Sequence, residues 1–335
     1  MRSRHLLMLV GTLSVLSCGN AWADHPIVGF GADSAGPVVT IPATTLPQGD
    51  GAVALRVEYV SFRRFSDSSL AGYAEQDVEA HSTDLLLSPS LGVGYGLTND
   101  LTVSARLPYL LRSDIREGHI EDGEAEAHTH GDSQGVGDLT LLGQYRFMNG
   151  WGGMLEGALL FGIKVPTGDT GERDREGELF EAEHQPGSGS WDPLLGLAVS
   201  RHAGALSLDG NVLYAFATKG TQRSDLGDRL HYNAALSYRL GGGEGRHHSH
   251  EAAAHSHLKW DLILEMNGEW QEKQRVAGVS DANSGGNLVY LSPGLRVCDQ
   301  GWGATVSVGV PVLQDLNGVQ HDTKLRVVLG LSKGF

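Results

Sequence analysis

The feature that most constrains the fold is a two-residue alternation of apolar and polar side chains, repeated in segment after segment. Between Leu101 and Tyr109, for example, apolar residues alternate with Thr102, Ser104 and Arg106. Segments of about ten residues with this alternation, separated by turn residues, are typical of transmembrane β-strands, and the pattern gains weight by repetition. It predicts an all-β fold whose strands each carry one apolar and one polar face.

Turn residues divide these segments into twelve predicted strands. They lie near 53–62, 85–95, 101–109, 139–147, 155–165, 191–199, 206–216, 230–240, 260–270, 289–297, 306–310 and 325–335. Short turns near 98–100, 149–152, 202–204 and 299–302 follow even-numbered strands. This order predicts a closed antiparallel transmembrane β-barrel of about 12 strands with both termini in the periplasm.

The same parity assigns the remaining connections to the two sides of the membrane. The predicted extracellular loops are 63–82, 112–134, 167–189, 218–227, 271–286 and 314–322. The stretch 241–258 follows the eighth strand, so it is predicted to be periplasmic, although it is long for that side.

Alternation alone does not separate a membrane barrel from a soluble β-sandwich, because both have strands with one apolar face. Aromatic residues near strand ends favour the barrel, as in the girdles of outer-membrane proteins. These residues are Trp151, Trp191, Trp260, Trp270, Trp302, Tyr109 and Tyr214. The aromatic Phe335 within the last strand is also similar to the C-termini of outer-membrane proteins.

The N-terminus has the three parts of a secretory signal. A basic start precedes an apolar run at 6–16, and Ala21-Trp22-Ala23 offers small residues to a signal peptidase. We therefore predict a signal peptide over 1–23, a periplasmic or lumenal segment over 24–50 and the barrel over 51–335. Cys18 ends a weaker, lipoprotein-type cleavage site, which is the competing interpretation.

Composition argues against a nucleic-acid-binding protein and against a fold stabilised by disulfides. The formal net charge of −15 argues against a nucleic-acid-binding protein, because such proteins are basic. Of the two cysteines, only Cys298 remains after cleavage, so an internal disulfide is not expected. We predict instead that Cys298 is a small buried apolar residue. The expected partners are outer-membrane lipid, a small-molecule or ion solute and the barrel-assembly machinery.

Several stretches resemble a known family. The hairpin at 91–103, followed by Leu107-Pro108-Tyr109, is similar to one that recurs there, as are the stretches 135–139 and 164–169. The family is the outer-membrane "transporter" group linked to the meta-pathway of phenol degradation, and the similarity extends from about residue 50 to the C-terminus. The resemblance implies a barrel and passage of small molecules, and it carries no catalytic residues. The His-rich insertions are not part of the family pattern.

Two histidine clusters are candidate metal ligands, because neutral imidazole suits Zn, Cu, Ni or Co. The candidate ligands are His247, His248, His250, His255, His257, His128 and His130. Their spacing does not match a structural tetrahedral site, so we expect weak binding of a divalent transition metal and no tightly bound cofactor. The alternative interpretation is a solvated acidic loop with incidental histidines.

The polar faces of the strands supply candidate pore-lining residues. They are Arg56, Glu58, Arg106, Arg146, Glu156, Lys164, Arg229, His231, Arg239, Asp261, Glu265, Lys324 and Arg326. Charged rings on a pore wall tune ion preference, whereas paired charges can also fill the bore. The strand ends carry no strong catalytic constellation, and we do not expect an enzyme.

The sequence leaves three functions open. The first is an outer-membrane channel for small solutes, including transition-metal ions bound by the His-rich loops. The second is a channel for small hydrophobic or aromatic compounds, and the third is a structural barrel without a continuous pore. An apolar lumen with a lateral opening would favour the second, and a lumen blocked by paired charges or by 24–50 would favour the third.

Overall fold

A computed structural model describes residues 37–152, 154–240, 258–299 and 301–335. The predicted signal peptide, the competing site at Cys18 and the first part of the segment 24–50 lie outside these residues. The same holds for 241–257 and therefore for five of the predicted metal ligands.

Twelve long strands form the wall of the molecule, as the alternation predicted. In chain order they are β1 (Gly51–Arg63), β2 (Leu85–Thr98), β3 (Leu101–Glu121), β4 (Leu139–Gly150), β5 (Leu155–Val165), β6 (Asp192–Ala203), β7 (Leu206–Ala215), β8 (Arg229–Leu240), β9 (Lys259–Gln271), β10 (Gly286–Asp299), β11 (Trp302–Leu316) and β12 (Asp322–Gly334).

The wall closes on itself through antiparallel pairing. Each strand pairs with its neighbours in the chain, and β1 pairs with β12 through contacts such as Val57 with Leu329. The backbone N–H of Gly51 also donates to the carbonyl of Phe335 at 2.8 Å, which joins the start of the first strand to the end of the last. Closure leaves no free edge in the wall, which is what a sheet inside a bilayer requires.

The connections differ greatly between the two ends of the barrel. At one end, which we call the short-turn end, β2 and β3 are joined by a two-residue turn, and the chain both enters and leaves the wall there. The opposite, long-loop end carries the helix α1 (Asp67–Ala74), a 3-10 turn (Thr221–Arg223) and the short strands His81–Ser82, Ser224–Asp225, Arg275–Val276 and Val279–Ser280.

The prediction that 112–134 is a loop was wrong. Instead, β3 continues to Glu121 and pairs with a further strand, Glu124–Val136, which leads into β4. The long hairpin therefore projects beyond the wall at the long-loop end. The polar sequence of Glu124–Val136 hid the hairpin, because a strand that does not face lipid need not carry the apolar face that the alternation reveals.

Side-chain burial is inverted relative to a soluble protein, and this separates the barrel from a sandwich. Leu55 is 57% exposed, whereas its neighbour Arg56 is 6% exposed. The same contrast continues around the wall, with apolar residues facing out and charged residues facing in. So much contiguous apolar surface is not stable in water, so it faces lipid. None of the described helices has the length and hydrophobicity needed to cross a membrane.

Tryptophans mark both rims of the apolar surface. Trp151, Trp260 and Trp302 lie near the short-turn end, and Trp191 and Trp270 lie near the long-loop end. All five are between 38% and 67% exposed. Indole rings favour the membrane–water interface, so the two groups delimit the part of the wall that lies in the bilayer.

This assignment predicts the effect of an outward-facing charge. Leu264 lies in the middle of β9 and is 46% exposed, whereas Val276 is 48% exposed at the long-loop end, beyond the wall. We expect Leu264→Arg to lower the free energy of unfolding in lipid vesicles by about 2–4 kcal/mol. We expect Val276→Arg to change it little, since that side chain meets water. Equal effects in urea titrations of the two variants would contradict the membrane assignment.

Candidate functional site

The predicted pore-lining residues face the interior of the barrel, with one exception. Most are almost fully buried: Arg56, Glu58, Arg106, Glu156, Lys164, Arg229, His231, Asp261, Glu265 and Arg326 are each 8% exposed or less. Arg146 and Arg239 are half-buried near the short-turn end. Lys324 is exposed, because it is the extra residue of a β-bulge at which Ser61 pairs with Leu325 and Phe62 with Thr323.

Charges inside the barrel are paired across neighbouring strands. Arg239 makes two hydrogen bonds to Asp261, at 2.8 and 3.0 Å. Arg326 lies 3.8 Å from Glu58, and its guanidinium stacks 4.1 Å from the ring centroid of Tyr290. Such pairing compensates the desolvation of each charge and fills part of the bore.

An extended stretch of chain, residues 37–46, lies inside the barrel, and we call it the lumen segment. Of the two alternatives for 24–50, its described part is therefore lumenal. The segment enters beside the turn after β2, where Gly96 leaves room for it. A Cβ on Gly96 would lie only 2.0 Å from the carbonyl oxygen of Pro47.

The lumen segment runs across the strands of the wall rather than along one of them. Its backbone groups bond to side chains from β3, β4, β6, β7 and β9. These side chains are Thr102, Gln144, Ser200, Asn211 and Glu265, at 2.8 to 3.1 Å. A crosswise segment cannot extend a β-ladder, so inward-facing polar side chains must satisfy its buried backbone groups.

Glu265 makes the densest of these contacts. Its carboxylate, with no exposed surface, accepts hydrogen bonds from the backbone N–H groups of Val38, Val39 and Thr40 at 3.0 to 3.1 Å. Arg56 donates to the carbonyl of Val38 at 3.0 Å on the other side. The lumen segment is thus held by a charged clamp at its innermost end.

The connection between β5 and β6 covers the other end of the lumen. In it Phe180, His184 and Gln185 are buried. Arg112 donates to the carbonyls of His184 and Gln185, at 3.4 and 3.3 Å. At the base of this connection, Lys164 lies 2.5 Å from Asp192 and 3.4 Å from Asp138. Both ends of the lumen are therefore occupied by chain.

Histidines and carboxylates converge beside this cover, in what we call the mouth cluster: His81, Glu117, His130, Glu181, Glu183 and His184. The Nδ1 atom of His81 lies 3.3 Å from Glu183, and its Nε2 atom lies 3.5 Å from Glu181 and 3.6 Å from Glu117. His130 lies 3.2 Å from the same oxygen of Glu117. The cluster borders an open cavity of about 590 Å³, the vestibule, which is also lined by Asp77, Glu79 and Asp281.

Burial and pairing divide the mouth cluster into charged and neutral groups. Burial alone lowers the pKa of His81, but hydrogen bonds to Glu117 and Glu183 outweigh burial and raise that pKa well above its ordinary value. Burial lowers the pKa of His184 to about 3 and raises the pKa of Glu181 to about 7. At neutral pH the cluster therefore holds a cationic His81, while His184 is a neutral imidazole.

Of the predicted metal ligands, His128 and His130 lie on the projecting hairpin. Their rings are 4.8 Å apart, and a ligand atom of each lies within 4.8 Å of one on Asp174. Sequence reasoning did not select His81 and His184, which the fold brings to 5.1 Å from each other. Each is a single histidine in its own loop, so local spacing gave no signal for either.

Fold and wall together define an outer-membrane β-barrel. The chain belongs to the family described as "Putative MetA-pathway of phenol degradation", which matches residues 115–310, and this confirms the resemblance seen in the sequence. No curated protein sequence matches the chain significantly.

Two solved outer-membrane channels are similar to the chain. An outer-membrane channel from Pseudomonas putida F1 is 18% identical, with a TM-score of 0.56 over 88% of this chain and 98% of that one. A deletion mutant of the TodX monoaromatic hydrocarbon channel is 10% identical, with a TM-score of 0.48 over 92% of this chain and 99% of that one. Both structures are described as channels.

Proposed function

We propose that the protein is an outer-membrane channel for small polar solutes, closed in this conformation by the lumen segment. The observation that carries the proposal is the crosswise path of residues 37–46. They obstruct a charged, polar bore, and wall side chains hold them without strand pairing. A segment held in this way can leave while the wall keeps every ladder hydrogen bond.

The wall also bears on the class of solute. Charged and amide side chains line the bore, so passage along its axis favours polar over aromatic solutes. Metal transport is not part of the proposal, because the described histidines concentrate at the long-loop end. We place that end outside the cell, since outer-membrane barrels have their short turns in the periplasm.

A reversible cross-link tests whether the lumen segment closes the channel. Ala43 of the segment and Ala198 of β6 belong to the same buried cluster, so cysteines are placed at both positions and joined by oxidation, and the loss of free thiol verifies the disulfide. Cys298, which is buried and free, is changed to serine in the same chain. Conductance for potassium chloride is then measured in planar bilayers before and after reduction.

We expect the oxidised A43C/A198C protein to be closed and the reduced protein to conduct like the wild type, because only the disulfide keeps the segment in place. The A43C and A198C single variants serve as controls and should not respond to reductant. Conductance of the oxidised form at the wild-type level would refute the gating role. If neither the wild type nor either redox form of the variant conducts, the result favours the structural barrel without a continuous pore. If the oxidised form takes up phenol, the result favours the channel for hydrophobic or aromatic compounds.

A further inference from the structure

We infer that the mouth cluster contains a binding site for one divalent transition-metal ion of the zinc or cobalt type, with His81, Glu183 and His184 as its protein ligands. The inference is independent of the proposed channel function, because it concerns binding at the long-loop end and not passage through the lumen.

The positions of three ligand atoms carry the assignment. The Oε1 atom of Glu183 lies 3.3 Å from Nδ1 of His81 and 3.8 Å from Nε2 of His184. In a tetrahedral site with metal–ligand bonds of about 2.0–2.1 Å, two ligand atoms are roughly 3.4 Å apart. All three atoms lie within 4.8 Å of one another, so small side-chain rotations bring them to this spacing.

The neighbours of these ligands are arranged as the outer shell of a metal site requires. While Nδ1 of His81 faces Glu183, its Nε2 faces the carboxylates of Glu117 and Glu181. A carboxylate behind a ligating imidazole fixes the ring and raises its basicity. Because a ligating imidazole must be neutral, binding of the metal ion displaces one proton from the cationic His81 into solvent. Gln274 donates a hydrogen bond to the second oxygen of Glu183, which leaves Oε1 toward the histidines.

The backbone also holds the ligands in place. The hydroxyl of Ser133 donates to the carbonyl of His184 at 2.7 Å, and His81 lies in a short strand paired with β3. His81 and Glu183 line the vestibule, so an ion can reach them from solvent. Two imidazoles and one carboxylate suit zinc, cobalt, nickel or copper better than calcium or magnesium, which prefer oxygen ligands alone.

Cobalt(II) is a suitable probe, because its visible absorption distinguishes tetrahedral from octahedral coordination. The full-length protein in detergent is titrated with Co²⁺ and then with competing Zn²⁺. To remove the signal of the predicted second site, His247, His248, His250, His255 and His257 are all alanine in the test background. We expect one equivalent of Co²⁺ to give a tetrahedral-type spectrum that one equivalent of Zn²⁺ displaces.

Two variants and one matched control locate the site. E183Q and H184Q should each weaken Co²⁺ binding at least tenfold and abolish the spectrum. D174N alters the neighbouring group around His128 and His130, and it should change neither the Co²⁺ affinity nor the spectrum. Heat-modifiable migration on gels shows that each variant is a folded barrel. Loss of the spectrum in D174N but not in H184Q would overturn the assignment, as would the absence of stoichiometric binding in the test background.

Discussion

Replacing Glu265 with alanine is expected to raise the fraction of open channels roughly 100-fold. The carboxylate accepts three backbone hydrogen bonds from the lumen segment in a fully buried position. Hydrogen bonds to charged groups contribute about 1.5–3 kcal/mol each. Because the three hydrogen bonds share one acceptor group, we take their summed contribution as about 3 kcal/mol. Losing it shifts the equilibrium about a hundredfold from the bound toward the released lumen segment.

The measurement is the open probability of single channels in planar bilayers. E265Q should give an intermediate increase, because an amide oxygen still accepts hydrogen bonds without the full charge. Asp261 is the matched control, since it is a buried carboxylate on the same face of β9. Its hydrogen bonds among the described residues go to Arg239. D261A should leave the open probability close to that of the wild type, and equal responses of E265A and D261A would contradict the clamp.

Replacing Lys164 with alanine is expected to lower the free energy of unfolding by about 3–5 kcal/mol. Lys164 is 4% exposed, and its ammonium group lies between two carboxylates, Asp138 and Asp192. Removing one partner of a buried charge cluster leaves the other charges without compensation. Asp138 also binds the backbone of Gly168 and Ser188, so the cover of the lumen should loosen as well.

Urea titration in lipid vesicles, followed by tryptophan fluorescence, measures this effect. Arg64 provides a matched control, because its ion pair with Asp114 is largely exposed at the long-loop end. Solvent screens such a pair, so R64A should cost less than about 1 kcal/mol. Similar losses for K164A and R64A would mean that the interior cluster is better hydrated than its burial indicates.

The wall of the barrel was predictable from the sequence because it depends on local periodicity. A strand such as β9 alternates Leu262 and Leu264 with Asp261 and Glu265, and any pairing that buries one set exposes the other. Twelve such strands and their short turns fix closure and parity. The strand Glu124–Val136 was not predicted, because it carries no apolar face that periodicity could reveal.

The interior contacts could not be predicted in the same way. The alternation predicts that Glu265 faces inward. It does not predict the hydrogen bond from Val38, because the two residues are 227 positions apart in the sequence. The mouth cluster is similar, since His81, Glu117 and His184 come from the connection after β1, from β3 and from the connection after β5, and they meet only after the barrel closes.

By itself, therefore, the sequence determined the fold class, the strand count, the bilayer-facing surface and the inward side of each strand. These properties follow from a two-residue repeat that every strand expresses separately. Only the tertiary structure decided that residues 37–46 occupy the lumen and that His81 meets Glu183. Such contacts join segments with no periodic relation, and their energies come from burial and charge pairing that exist only once the wall has closed.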